Sequence, residues 1–182
     1  MMERVSRWPM SAPGAAISPS RSPFTCPEPD CGPSIVPPRP WNWQKKNART
    51  HGVESRIEFL QGDLLTPLQG QRERLTAVIS NPPYVSTGQL EELPVEIREH
   101  EPRAALDGGR DGLEIIRRLI PAAAELLSPE GWLALEIGAG QARRVETILS
   151  QSNVYRDRET IPDYAGIPRV VLARKAIPSG KD

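Results

Sequence analysis

The residues best suited to chemistry in this chain are the tetrapeptide Asn81-Pro82-Pro83-Tyr84, which follows an apolar run. The Asn81 carboxamide both donates and accepts hydrogen bonds, whereas prolines lack an N–H and offer only carbonyl acceptors on a stiffened backbone. Such a loop suits a planar amide or amine, because one N–H can donate to the Asn81 side-chain oxygen and the other to the Pro82 carbonyl. Tyr84 can stack on the flat group. Such a loop could orient the nitrogen of that amide or amine toward an electrophile.

The residues before Asn81 predict the element that positions it. Leu75 to Ser80 are mostly apolar, are too few for a helix and are followed by two prolines, which predicts a buried parallel strand. Ligands bind beyond the carboxyl ends of strands in open α/β sheets, so the tetrapeptide falls where a reacting group is held. Pro-Pro alone is more typical of an ordinary turn with a solvated asparagine than of a functional loop. The whole tetrapeptide after an apolar strand is much more specific.

The rest of the chain from residue 45 to 176 alternates between strand and helix patterns, as in an α/β domain. The predicted strands cover residues 56–63, 132–138, 155–160 and 170–175, and the predicted helices cover 113–127 and 141–149. Asp111 is the predicted N-cap of the first of these helices. Pro129 to Gly131 predict a turn, and residues 177–182 a frayed tail.

Composition excludes several classes of protein. The 182 residues suffice for one domain, and a formal net charge of zero gives no overall electrostatic footprint for nucleic acid. No run approaches a membrane span and no leader resembles a signal peptide, so we expect a cytoplasmic protein without a membrane partner. Cys26 and Cys31 have no nearby His or further Cys to complete a zinc site, and we predict no metal.

These motifs resemble those of methyltransferases that modify nitrogen with S-adenosylmethionine, and in detail the release factor glutamine methyltransferases, the PrmC/HemK family. The motifs that carry the resemblance run from about Lys46 to Lys175. Besides the tetrapeptide they are Lys46-Asn47-Ala48, Gly62-Asp63, Glu101-Pro102 with Ala105-Leu106, Gly108-Gly109-Arg110-Asp111-Gly112-Leu113, Leu135-Glu136-Ile137-Gly138 with Gln141, and Asp163-Tyr164-Ala165-Gly166 followed by Arg169-Val170-Val171.

The resemblance implies a fold and a site. The fold is the Rossmann-like α/β sheet of class I methyltransferases, incomplete at the N-terminus because its first two strands are lacking. The cofactor is S-adenosylmethionine, with Asp63 and Leu64 beside the adenine and Asn81 at the junction of cofactor and substrate. The catalytic residues are those of the tetrapeptide, Asn81, Pro82, Pro83 and Tyr84.

The resemblance also implies an activity. It is methyl transfer to the side-chain amide nitrogen of the glutamine in the Gly-Gly-Gln motif of class 1 peptide chain release factors. The enzyme is then a protein-glutamine N-methyltransferase that acts as a monomer and does not bind nucleic acid directly.

The first 44 residues do not fit this domain. Prolines recur throughout them and block helix and central strand, so we expect a segment that is disordered or derived from another reading frame. The glycine-rich turn and the acidic strand end that the family places here are absent. A shifted frame across the codons of Trp41 to Lys46 reads Glu-Leu-Ala, then Lys or Glu twice, and farther upstream it permits both missing motifs. We hypothesise a one-base change near the codons for Gln44 to Asn47.

Three alternatives stay open at this point. Methylation of adenine in DNA uses a similar loop, but it predicts a basic groove that is not visible in a neutral chain. A ribosomal-protein glutamine methyltransferase is a closer rival, although the segment from Asp163 to Gly166 resembles the release-factor branch more. The alternative from outside enzymology is a remnant without cofactor affinity.

Overall fold

The computed structural model describes residues 3–6, 34–36 and 42–178, and side chains from Gln44 to Pro178. Within this part the helices are Asn42–Thr50 (α1), Val95–His100 (α2), Arg103–Leu106 (α3), Glu114–Leu126 (α4) and Ala142–Gln151 (α5). The strands are Glu3–Ser6 (β1), Ser34–Val36 (β2), Phe59–Gln61 (β3), Leu75–Ser80 (β4), Leu127–Glu136 (β5), Tyr155–Pro162 (β6) and Pro168–Lys175 (β7). Each described helix is too short or too polar to cross a bilayer.

The strands form one mixed sheet in the order β3-β2-β1-β4-β5-β7-β6. β4 and β5 are parallel, with Val78 opposite Leu133, and β7 runs antiparallel to both of its neighbours. β7 thus lies antiparallel between β5 and the edge strand β6. The predicted α/β class and Rossmann-like sheet are confirmed.

The amino-terminal half of the sheet differs from the expectation that two strands are lacking. Two short strands lie between β3 and β4: β1 has four residues and pairs antiparallel with β4, and β2 has three residues and pairs parallel with β3. β1 and β2 are antiparallel to each other. Disorder is predicted for residues 1–44. Of these, residues 1–2, 7–33 and 37–41 lie outside the described residues, as do Cys26 and Cys31. The predicted boundary of the domain at residue 45 stays a prediction.

The core forms where α4 and α5 cover the carboxyl-terminal half of the sheet. Apolar residues recur in α4 at spacings of three and four, so that one face of the helix is apolar. The residues of this cluster that are at most 1% exposed include Ile116, Leu119, Ile120 and Ala123 of α4, Leu133 and Leu135 of β5, and Val145 and Leu149 of α5. The Tyr155 hydroxyl donates to the Ile120 carbonyl (2.8 Å), and burial raises the pKa of this phenol. β6 is thereby joined to α4.

Three boundaries differ from the predicted ones. The strand predicted over residues 56–63 is reduced to β3. Glu54–Arg56 form a 3₁₀ turn before it, and after it the Thr66 N–H donates to the Asp63 carbonyl in a turn (3.1 Å). β5 begins before the predicted turn at Pro129 to Gly131, and that turn becomes a register shift in the pairing of β5 with β4. α4 begins at Glu114, with Leu113 rather than Asp111 at the N-cap. The Asp111 carboxylate nevertheless accepts from the Leu113 N–H and also binds two arginines.

Truncating the centre of this core should cost much of the stability. We expect Leu133→Ala to lower the free energy of unfolding by about 2–5 kcal/mol, since Leu133 is 0% exposed and the cavity cannot fill completely. Val95→Ala is the control, because Val95 is 48% exposed and its truncation should cost less than about 0.5 kcal/mol. Urea denaturation of both variants measures the two losses, and losses of equal size would contradict this description of the core.

Candidate functional site

Asn81 lies directly after the last residue of β4, at the carboxyl side of the sheet. It is exposed, whereas Pro82 and Pro83 are buried and Tyr84 is partly buried. Two prolines can be buried at little cost here, because they bring no N–H that would need a partner. The Asn81 carboxamide is therefore presented to solvent from a backbone that is anchored in the protein.

The chain after the tetrapeptide is bound to the segment before α4. The Val85 N–H donates to the Leu106 carbonyl (3.0 Å), and the Gly108 N–H donates to the Val85 carbonyl (2.8 Å). A Cβ on Gly108 would lie 2.7 Å from the Pro83 carbonyl oxygen and 2.9 Å from the Tyr84 Cα, closer than real Cβ contacts. The two segments approach so closely that only glycine fits at position 108.

The Gln141 carboxamide joins three segments at this place. Its Nε2 donates to the carbonyls of Tyr84 (2.9 Å) and Gly112 (3.3 Å), and its Oε1 accepts from the Gly138 N–H (2.9 Å). A Cβ on Gly138 would lie 3.0 Å from Cδ2 of the Tyr84 ring, so the ring packs directly on this backbone. In the sequence, Gln141 belongs to one of the motifs but has no evident role; the signal that points to it is the Gly-x-x-Gln spacing at the end of an apolar strand.

Charged residues fix the same loop from the outside. The Asp111 carboxylate accepts hydrogen bonds from Arg117 of α4 (2.9 and 2.5 Å), from Arg144 of α5 and from the Leu113 N–H (3.2 Å). The hydrogen bonds from Arg117 hold the pKa of Asp111 well below its usual range. Asp111 therefore stays ionised near neutral pH and joins the beginnings of α4 and α5.

Asp63 and Leu64 lie beyond the end of β3. β3 points the same way as β4, because β3 is parallel to β2, and β1 is antiparallel to both β2 and β4. The two candidate sites are therefore on the same side of the sheet, about 14 Å apart if each of the three strand spacings is about 4.8 Å. The structure does not bring Asp63 to Asn81 itself; the Asp63 carboxylate pairs with Arg118 of α4, a partner that sequence analysis missed.

A cavity of about 270 Å³ opens between this turn and α4. Its lining includes Asp63, Leu64 and Thr66 on one side and Arg118, Pro121 and Leu126 on the other. An acidic oxygen beside an apolar wall suits an adenine, whose amine can donate to the carboxylate and whose ring can pack on the apolar groups. The residues present fit that part of S-adenosylmethionine, on condition that Asp63 shares its carboxylate with Arg118.

The loop between β6 and β7 lies on the same side of the sheet. The Asp163 carboxylate accepts from the N–H groups of Ala165 (2.9 Å) and Ile167 (3.0 Å) and from Arg169 Nε (3.1 Å), and the backbone donors lower its pKa. The Ile137 N–H donates to the Arg169 carbonyl (2.9 Å), which attaches this loop to the end of β5. Tyr164 is fully exposed at its tip.

Comparison with known proteins identifies relatives of this chain, although no family model matches it. It is 48% identical over 129 residues to the release factor glutamine methyltransferase of Moorella thermoacetica, a match that covers 71% of this chain and 44% of that protein. The corresponding protein of Geobacter sulfurreducens is 48% identical over 130 residues, covering 71% and 44%. The chain thus spans less than half the length of the curated relatives it matches.

Among solved structures, the catalytic domain of hMettl16 in complex with MAT2A 3'UTR hairpin 1 has a TM-score of 0.54 to this chain. The sequence identity is 15%, and the match covers 79% of this chain and 55% of that one. At that identity the likeness concerns the fold alone.

Lowering the pH should weaken the hydrogen bonds to the Asp111 carboxylate, because the carboxylate becomes protonated. Because the pKa of Asp111 is lowered in the folded protein, its stabilising contribution is complete above the ordinary aspartate pKa of about 3.9 and is lost as the pH falls below it toward the folded value. We expect Asp111→Asn, which keeps an acceptor for the Leu113 N–H, to be less stable at pH 7 and to lose less stability than the parent protein between pH 5 and pH 2. Denaturation midpoints across this range test it. Parallel curves for the two proteins would contradict it.

Proposed function

We propose that this chain, which is a homologue of the release factor glutamine methyltransferases over 71% of its length, serves the same reaction. The reaction is transfer of a methyl group from S-adenosylmethionine to the side-chain amide nitrogen of a glutamine. The proposed substrate is the glutamine of the Gly-Gly-Gln motif of class 1 release factors, and the proposed acting form is a monomer.

The observation that carries this proposal is the exposed Asn81 carboxamide on a buried Pro-Pro base. In the proposed complex, one N–H of the substrate amide donates to the Asn81 side-chain oxygen and the other donates to the Pro82 carbonyl. The Tyr84 ring lies against the flat amide group. Two acceptors at fixed positions select a planar NH₂ group and set the direction of its lone pair.

The contribution of these residues is positioning. An amide nitrogen is a weak nucleophile because its lone pair is delocalised, so holding it in line with the electrophile is the main source of acceleration. The cofactor, when bound, supplies an electrophilic methyl group. The nitrogen becomes acidic as the new C–N bond forms, so its proton can leave late, to solvent or to an acceptor of the loop, and a strong base is not required.

Only part of the proposed cofactor site is present in this sequence. Asp63 and Leu64 hold the adenine in the proposal, and Arg118 keeps the Asp63 carboxylate in place. The glycine-rich turn for the methionine end does not occur in residues 1–44 as written. We propose that those residues are read in a shifted frame and that the methyltransferase domain covers residues 45–176 with the restored strands before it.

The first prediction here concerns catalysis in the frame-restored protein. Asn81→Ala should lower the rate of methyl transfer by about 10²- to 10³-fold, as the loss of one preorganised hydrogen-bonding group does at other reacting centres. The affinity for S-adenosylmethionine should stay nearly unchanged, since the carboxamide orients the substrate. Asn153→Gly is the control: it removes an exposed carboxamide at a position with φ of 53°, which glycine accepts. Single-turnover methylation of a release factor measures the rates, and an Asn81→Ala rate within twofold of the parent would refute the assigned role.

The second prediction concerns the cofactor. The chain as written should bind S-adenosylmethionine weakly or not at all, and restoration of the upstream frame should recover binding. In the restored protein Asp63→Ala should raise the dissociation constant while changing the rate at saturating cofactor much less, because the carboxylate contacts the adenine and not the reacting nitrogen. Calorimetry measures each affinity. Low-micromolar binding of S-adenosylmethionine by the chain as written would count against the proposal that the missing upstream turn holds the methionine end of the cofactor.

A further inference from the structure

We propose that Gln141 is a positioning residue for the reaction, which it influences by fixing Tyr84 and thereby the orientation of the whole tetrapeptide loop. The role in catalysis rests on the proposed function above. The contacts that support it are independent of that function, because they lie entirely within the protein.

The first support is the match between the side chain and its three partners. Two carbonyl oxygens, of Tyr84 and Gly112, need donors, and one N–H, of Gly138, needs an acceptor. A carboxamide offers both kinds of group within one planar unit, whereas an ionised carboxylate only accepts and an ammonium only donates. At this length of side chain, glutamine is the residue that can satisfy all three partners.

The second support is what the contact does to the loop. Gln141 donates a hydrogen bond to the Tyr84 carbonyl, and the Gly108 N–H donates one to the carbonyl of the next residue, Val85. These two acceptors are thereby directed into the protein. In the proposed reaction, the substrate amide instead donates to the Pro82 carbonyl of the same loop. A loop rotated about Tyr84 would change which carbonyl meets the substrate.

The third support is that Gln141 is itself held from both sides. It immediately precedes α5, and the next turn of that helix carries Arg144, which donates to the Asp111 carboxylate and to the Asp111 carbonyl (3.3 Å). On the other side, the Gly138 backbone that Gln141 binds also supports the Tyr84 ring. Both the carbonyl and the ring of Tyr84 are therefore placed by the turn from Gly138 to Gln141.

Hydrogen exchange on the full chain tests the contact without cofactor or substrate. We expect Gln141→Ala to speed exchange of the Val85, Gly108 and Gly138 amides by about tenfold, the effect of losing a hydrogen bond of ordinary strength. Exchange of the Ile120 amide in α4 should not change. Gln141→Glu has the same shape and keeps the acceptor, but at neutral pH it lacks the donors, so it should show the same local acceleration at Val85 and Gly108. Gln151→Ala, at the exposed end of the same helix, is the control.

Two results would overturn the proposal that Gln141 fixes the loop. One is unchanged exchange of the Val85 and Gly108 amides in the variant. The other is equal acceleration at Ile120, which would indicate a general structural role. The catalytic half is tested in the frame-restored protein, where Gln141→Ala should lower kcat at least tenfold with the dissociation constant of S-adenosylmethionine unchanged. An unchanged kcat would overturn that half. If the parent protein itself transfers no methyl group to a release factor, the proposed function fails, and the exchange result still decides whether Gln141 fixes the loop.

Discussion

The parallel pairing of β4 with β5 is the constraint on which the site depends. Parallel neighbours end on the same side of a sheet, so the pairing brings the chain after Ser80 next to the chain after Glu136. Asn81 follows the first end and Gly138 the second, and Gln141 is then within reach of the Tyr84 carbonyl. An antiparallel arrangement would have put these residues at opposite ends of the strands, where one side chain could not connect them.

The two halves of the sheet contribute unequally to this site. The carboxyl-terminal half, from β4 to β7, contains the long strands, the buried cluster under α4 and α5, and the hydrogen bonds of Gln141 and Gly108 to the chain at Tyr84 and Val85. The amino-terminal half contains β1, β2 and β3, of four, three and three residues. The division follows the sequence, because the half that contains the tetrapeptide is built from residues 75–175, whereas β1 and β2 fall in the proline-rich segment.

The local spacing of residue types predicted much of the fold. What it did not predict depends on contacts between residues that are far apart in the sequence. β4, α4, α5 and the two closing strands follow from the spacing of apolar residues and from the prolines and glycines between them, which act over a few positions. The pairings of Asp63 with Arg118 and of Asp111 with Arg144 could not be found in this way, because the partners are 55 and 33 residues apart. Arg117, the other arginine partner of Asp111, is near it in the sequence, six residues away. For the same reason Asp111 looked like an ordinary N-cap, and the role of Gln141 was not visible before the Tyr84 carbonyl was placed beside it.

We propose that the tetrapeptide loop presents one kind of nitrogen, that of a primary carboxamide, to the methyl donor. The most direct test incubates the frame-restored protein with S-adenosylmethionine and a class 1 release factor, and locates the modification by peptide mass spectrometry. A parallel sample carries glutamate in place of the glutamine of the Gly-Gly-Gln motif. We expect one methyl group on that glutamine and none on the substituted protein. Equal incorporation into both would show that the loop does not act on this glutamine.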